Sequence, residues 1–235
     1  MAMNKASRGR IRRALTPQLR RGWERAVFAS PEEGGERREE VRAGPGPAPE
    51  GGAIDDATIA GLLEAAEAAA AEGLVKQTIV VDERRRLTYD ARHGHLRVRT
   101  LDEAKALKVM GGKARSLRPD TSAGLLRAIG IMNADGTISA KHARKYKQIS
   151  HLAELCRPTW ERIVGQREVD AARPLRILDL ACGNAYLSFI LAESLRLAEV
   201  PLRLHGVDVR DDVIDRARAR AAEIGMEGLS FERAT

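Results

Sequence analysis

The sequence predicts an α/β fold whose C-terminal part is a parallel sheet represented by its first three strands, preceded by a small α+β and helical N-terminal region. Two observations predict this. From Leu175 onward short apolar runs alternate with helical patterns, "LRILDL", "LHGVD" and "LSFERAT" being separated by segments with apolar residues three and four apart. Before that point, short strand-like runs are mixed with Ala-rich and basic helical segments.

At the N-terminus, residues 1–25 carry eight bases and one acid, which accounts for the whole net charge of +7. An arm of that kind suits salt-sensitive, sequence-independent contact with RNA phosphates, and a solvated tail is the plain alternative. Residues 29–52 are rich in Pro, Gly and Glu, so a disordered linker is expected, giving 1–52 as basic arm plus linker. Residues 53–118 form the small α+β region. "DDATIAGLLEAAEAAAAEG" predicts a helix capped by Asp55 or Asp56 and stopped by Gly73, with Ile59, Leu62, Leu63 and Ala66 on one face. "VKQTIVVD" and "LTYDARHGHLRVRT" predict strands, the second a hairpin turning at His93 and Gly94. His93 and His95 lack a third ligand at metal spacing, so no metal is expected. A short helix over 101–109 and a loop over 110–120 follow.

Residues 119–172 are expected to be helical, with a turn at "NADGT" and a long helix capped by Ser139. Its first turns carry Lys141, His142, Arg144, Lys145 and Lys147. Cations there oppose the helix dipole, a local cost that suits either an exposed face or a cover over a ligand, with Lys145, Lys147 and Gln148 as the candidates.

The last region, 173–235, holds the most informative stretch, "RILDLACGNAYLSF". Asp179 closes the first strand and Asp208 the second, with a loop of small residues, Ala181, Gly183 and Ala185, after the first. In parallel sheets ligands bind outside the carboxyl ends of the strands, and an acid closing the second strand can accept hydrogen bonds from both ribose hydroxyls of a nucleoside. The loop lacks the G-x-G-x-x-G spacing of pyrophosphate loops, and Asp179 would repel a phosphate. S-adenosyl-L-methionine, with its sulfonium and ammonium groups, fits such an acid better than a nicotinamide dinucleotide does. The helix after the loop is expected to bury Leu187, Ile190, Leu191 and Leu195, and the next, capped by Asp211, to bury Val213, Ile214, Ala217, Ala221 and Ile224.

On "ILDLACGNAYLSF" and "LHGVDVRDDVIDRARARAAEIGM" the chain resembles the first half of a class I S-adenosylmethionine-dependent methyltransferase, with its Rossmann-like sheet. "LLRAIGIMNADGTISAKHARKYKQISHL" is similar to a bacterial subgroup in which a Lys-Tyr-Lys-Gln-Ile helix precedes an Ala-Cys-Gly-Asn loop. The resemblance covers residues 119–235. It implies that Asp179 and the main chain of Ala181, Cys182, Gly183, Asn184 and Ala185 meet the methionine moiety, that Asp208 holds the ribose, and that Val209 lies against adenine. It further implies a longer sheet, so the chain is expected to be a C-terminally truncated fragment, or to need a partner that completes the sheet. The catalytic residues are then expected beyond residue 235 and cannot be named.

Methyl transfer needs mainly positioning, in keeping with the lack of any Ser/His/Asp or Cys/His arrangement. RNA is the expected acceptor, from the basic arm and the Lys141–Lys147 cluster. The alternative is a non-catalytic nucleic-acid-binding or adaptor protein with a partial methyltransferase fold, and a nicotinamide oxidoreductase is disfavoured by the loop spacing. Two cysteines without metal or disulfide spacing, and no long apolar run, lead to the expectation of a cytoplasmic protein with no membrane partner.

Overall fold

In a computed structural model, residues 5–31 and 37–234 are described, with side chains from residue 9 onward. The chain divides into two units, residues 1–103 with 134–136, and residues 104–133 with 137–235.

The first unit is a five-stranded antiparallel sheet, order β2-β1-β3-β4-β5, with helices α1 (Lys5–Leu19) and α2 (Asp56–Ala71). The strands are β1 (Gly22–Ala29), β2 (Glu39–Pro47), β3 (Lys76–Val80), β4 (Arg85–Asp90) and β5 (His95–Thr100). The expected hairpin at His93 and Gly94 is the β4–β5 connection. Asp55 caps α2 by accepting the Thr58 N–H at 2.8 Å.

Two expectations fail here. The basic arm is not a tail: Ile11, Leu15 and Leu19, spaced by four, turn one face of α1 into the core beside Phe28, Leu63, Ile79 and Tyr89. Several of its bases are spent on ion pairs, Arg12 with Glu67 at 2.6 Å and Arg20 with Asp56 at 3.1 Å. Nor is 29–52 a disordered linker. Residues 39–47 are strand β2, paired along its length with β1 from Ala29↔Glu39 to Gly22↔Pro47, while residues 32–36 of that expectation lie outside the described residues. The physical reason is that β2 is an edge strand. Pro45 and Pro47 are tolerated at an edge, where a missing N–H costs no ladder bond. Gly44 is required there, because a Cβ would sit 2.0 Å from the Trp23 carbonyl oxygen. β2 stabilises the sheet through its backbone, so its side-chain composition carries no strand signal.

Residues 134–136 complete this unit. Arg25 Nε donates to the Ala134 carbonyl at 2.9 Å and Arg86 Nη1 to that of Asp135 at 2.7 Å. The buried Asp135 carboxylate pairs with Arg37 and Lys76 at 3.4 and 3.7 Å. The turn expected at "NADGT" is thereby an anchor as well as a connection.

The second unit holds α3 (Glu103–Val109), α4 (Ala123–Ala128), the long α5 (Ala140–Gly165), and then β6 (Leu175–Leu180), α6 (Tyr186–Leu197), β7 (Leu202–Asp208), α7 (Asp211–Glu223) and β8 (Leu229–Arg233). The three strands form a parallel sheet in the order β6-β7-β8, as the alternation predicts. Helix α5 runs past the expected Cys156 and carries Pro158 within it. Tyr146 anchors its buried side: the hydroxyl donates to the Leu117 carbonyl at 2.7 Å, and burial pushes its pKa up to about 12. Ser139 stands at the N-cap, but its side chain caps no backbone N–H and lies instead against His142 Nδ1. Arg210, not Asp211, is the N-cap of α7. That helix buries Val213, Ile214, Ala217 and Ala221. In α6 the buried set is shifted from the expected one. Phe189, Ile190 and Leu195 are inside, with the Phe189 and Phe231 rings 5.6 Å apart, whereas Leu187 is largely exposed. On β6, Leu178 and Leu180 also face outward.

Candidate functional site

The loop between β6 and α6 is built by its backbone. Ala181, Gly183 and Ala185 have φ of 57°, 55° and 55°, so three alternate residues stand in the left-handed region. A Cβ costs about 1–2 kcal/mol there, which explains why the smallest side chains alternate in the sequence. The loop stays tied to the sheet, since Cys182 N–H donates to the Val207 carbonyl at 2.9 Å and Ala185 N–H to that of Cys182 at 2.8 Å. Helix α6 therefore begins without a side-chain cap, its N-cap being Ala185.

Asp208 ends β7 against this loop. Its Oδ2 accepts the Gly183 N–H at 2.8 Å, and its Oδ1 accepts the Arg210 N–H at 3.1 Å and Arg210 Nε at 3.4 Å. The backbone donors of Arg210 and Gly183 hold its carboxyl below the usual range. Asp179, at the end of β6, accepts the hydroxyl of the buried Ser188 in the first turn of α6. The two carboxylates converge on the same loop: burial first, then the charges of Asp179 and Asp208, push the Cys182 thiol up. Both acids thus lie within electrostatic reach of one sulfur atom.

The remaining residues singled out from the sequence fall in different places. Asn184 is exposed and its carbonyl accepts from Arg220 Nη1 at 3.2 Å, while Val209 is 61% exposed beside Asp208. Of the three candidate cover residues, Lys145 reaches the site, its Nζ lying 5.2 Å from the centre of the Tyr186 ring. Lys147 instead approaches Gly111, and Gln148 is exposed.

Four site residues escape the sequence reading. Ser188 positions Asp179, and Arg210 lies over the loop at Gly183. Tyr186 is flanked by Lys145 and by Arg220, whose guanidinium carbon is 5.4 Å from the ring centre. Arg210 could have been read from its position two residues after the acid. Arg220 sits three turns along α7, and nothing in the linear pattern points it back to the loop. Among the described residues no cluster of three metal-ligating side chains exists.

The chemistry of this arrangement is that of binding rather than proton transfer: two carboxylates, a run of main-chain groups at small residues, and an aromatic ring edged by cations. Residues 144–235, which include the whole loop and both acids, match the family described as a methyltransferase domain. Aklanonic acid methyltransferase DauC of Streptomyces sp. (strain C5) is 29% identical over 95 residues, covering 36% of this chain and 42% of that protein. Two solved structures are also similar. The YcgJ protein from Bacillus subtilis has 21% identity and a TM-score of 0.24 over 32% of this chain and 29% of its own. The CMeT domain of citrinin polyketide synthase has 20% identity and a TM-score of 0.32 over 48% and 28%. The chain spans less than half the length of these relatives. No described helix is long and apolar enough to cross a membrane. Residues 144–235 in the family model, and the chain in its match to the curated relative, are similar to methyltransferases.

Proposed function

We propose that the second unit binds S-adenosyl-L-methionine and that the whole protein transfers its methyl group to RNA, in the cytoplasm. The observation that carries the cofactor reading is that Asp208 accepts the Gly183 N–H within the loop and Asp179 accepts the Ser188 hydroxyl in the helix turn just after it, on a loop whose alternate residues are left-handed. The residues fit the group. A carboxylate offers about four acceptor positions, and Gly183 and Arg210 occupy three of those on Asp208, so a hydroxyl can still be accepted. At residue 183 a Cβ would have Arg210 Nη2 as its neighbour within 4 Å, at 3.9 Å, so the loop surface there is open to close approach.

In this reading Asp208 accepts from a ribose hydroxyl and Val209 offers its exposed side chain to adenine. Asp179, held by Ser188, faces the ammonium of the methionine end, with the main chain of Ala181 to Ala185 around it. When bound, the cofactor supplies an electrophilic methyl group on a sulfonium. The contribution of these residues is to fix that group's position, since transfer depends on alignment with the acceptor more than on a titrating side chain. Lys145, beside Tyr186, suits a cover over the loop. The outward Leu178 and Leu180 suit further sheet and helix, from the same protein or a partner, packing on β6. RNA as acceptor is supported by charge, and a cytoplasmic setting by the two free cysteines.

Calorimetric titration with S-adenosylhomocysteine tests the cofactor reading. Wild type is expected to bind, and Asp208→Ala to bind about tenfold or more weakly, the cost of losing a hydrogen bond to a charged acceptor. Absence of binding to wild type overturns it.

A further inference from the structure

The sum of charge after residue 25 is zero in the sequence, yet the fold gathers cations into one place. The stretch from Arg84 to Thr100, which forms β4 and β5, holds six arginines (84, 85, 86, 92, 97 and 99) and the acid Asp90, with Asp82, Glu83, Asp102 and Glu103 flanking it. Strand β5 is the edge of its sheet and is exposed at every position but Leu96. The register sets Arg99 directly across from Arg86, and Arg97 across from Thr88, on one face of the sheet. Like charges directly opposite each other on a sheet destabilise it. Burial, together with the charge of Arg99, lowers the Arg86 pKa, against the raising influence of Asp135.

The other cations of the hairpin have partners: Arg86 donates to the Asp135 carbonyl, Arg92 pairs with Asp90 at 3.1 Å, and Arg85 Nη2 meets Gln18 at 3.5 Å. Arg97 and Arg99 have no acidic partner among the described residues. The side chain of Arg10, from α1, lies against the hairpin turn, 3.4 Å from where a Cβ on Gly94 would stand.

An exposed edge strand needs charge to prevent pairing with another chain, but carboxylates serve that purpose as well as guanidinium groups. Two exposed arginines of the edge strand without an acidic partner, one of them set opposite Arg86, go beyond edge protection and call for an anionic partner. Arg97 and Arg99 project from the same face about 7 Å apart, two residues along a strand. That is the scale on which phosphates recur along an extended nucleic-acid strand.

We propose that the exposed face of the β4–β5 hairpin, centred on Arg97 and Arg99, binds the phosphate backbone of single-stranded RNA. The contact runs through phosphates: Tyr89 is buried on the core side, and the exposed rings of the hairpin, His93 and His95, stand at its turn stacked on each other with centroids 6.2 Å apart. The surface gives the RNA acceptor proposed above a place to dock, and rests on that reading for the choice of RNA.

The test measures fluorescence anisotropy of a labelled 20-nucleotide oligouridylate with the full chain and no cofactor, so its failure is separate from failure of the calorimetric titration. Wild type is expected to bind with a falling salt dependence. Arg97→Ser/Arg99→Ser should bind about tenfold or more weakly, with the log–log salt slope flatter by about 1.4, two phosphate contacts at about 0.7 each. Arg97→Lys/Arg99→Lys should retain most of the affinity, and Arg13→Ser/Arg21→Ser, exposed bases of the N-terminal segment, should bind within about threefold of wild type. The proposal is overturned if wild type does not bind, if the serine pair on β5 binds as wild type, or if the N-terminal pair loses as much as the β5 pair. Preference for oligothymidylate over the RNA by more than about tenfold overturns the assignment to RNA.

Discussion

The two units place their functional groups by different sheet logic. In the first, antiparallel strands put α1 and α2 on one face; on the other, Val27, Thr78 and Val80 of the inner strands β1 and β3 are buried, and the arginines of β4 and β5 are spread along the strands and across register. In the second, parallel strands point their carboxyl ends the same way, so Asp179 and Asp208, 29 residues apart in sequence, meet at one loop. An antiparallel sheet offers a surface, and a parallel one offers an end. The surface suits a long, charged ligand that lies across it, and the end suits a small one cradled by main chain.

The sharpest way to break this contrast is to ask whether the N-terminal segment belongs to the first unit's core at all. Leu15 is fully buried on the inner face of α1. Leu15→Ala should destabilise the first unit by about 2–5 kcal/mol, from lost transfer free energy and the cavity left behind. Denaturant unfolding followed by the fluorescence of Trp23, in a Trp160→Phe background, reports on that unit. An arm that were only a solvated tail would show no change.

That segment also shows where the sequence was illegible. The second unit could be read because its signals are local: acids at strand ends, a small-residue loop, and helices with apolar residues at regular spacing. In the first unit, α2 and the β4–β5 hairpin were equally plain, Asp55 and Gly94 marking a start and a turn. Helix α1 carries its stripe of Ile11, Leu15 and Leu19 within a run of bases, so that the net charge of the segment masks the apolar spacing. Strand β2 hid because nothing in it is buried: it is held by backbone pairing to β1, and Pro and Gly at a sheet edge look the same as Pro and Gly in a linker. In the site, Asp179 and Asp208 were visible as strand-terminal acids, whereas Arg220 reaches Asn184 and Tyr186 only because α7 folds back beside α6.

A smaller effect sharpens the view of the second unit as a backbone-built site. Ala185 is left-handed at φ 55° and stands at the N-cap of α6 with no side-chain acceptor. Glycine relieves the Cβ crowding, worth about 1–2 kcal/mol, and is a better N-cap than alanine. It also adds freedom to the unfolded chain, which gives back about 0.5–1 kcal/mol. Ala185→Gly is therefore expected to stabilise the second unit by about 1 kcal/mol, in contrast to the usual loss when glycine is introduced, and thermal unfolding would register it. A loss of stability would mean that the loop does not hold the left-handed conformation in solution.

The smallest expected effect probes whether the two carboxylates do meet. Both cysteines have thiols pushed up by burial, but only Cys182 also feels Asp179 and Asp208. A raised pKa lowers the thiolate fraction at a fixed pH, and the thiolate is the species that reacts with alkylating agents. At pH 8 both thiols should be alkylated more slowly than an unperturbed cysteine, and the rate should climb about tenfold per pH unit until the thiol titrates. Replacing either acid by its neutral amide, Asp179→Asn or Asp208→Asn, removes one negative charge from beside the sulfur. The Cys182 pKa then falls, its thiolate fraction at pH 8 rises, and its alkylation should speed up severalfold. Cys156, whose thiol is raised by burial alone, serves as the internal control and should react as before, the two sites being resolved by mass spectrometry of the alkylated peptides. If Cys182 responds to one acid and not the other, the unresponsive carboxylate points away from the loop, and the cradle for a cationic nucleoside loses half of its charge.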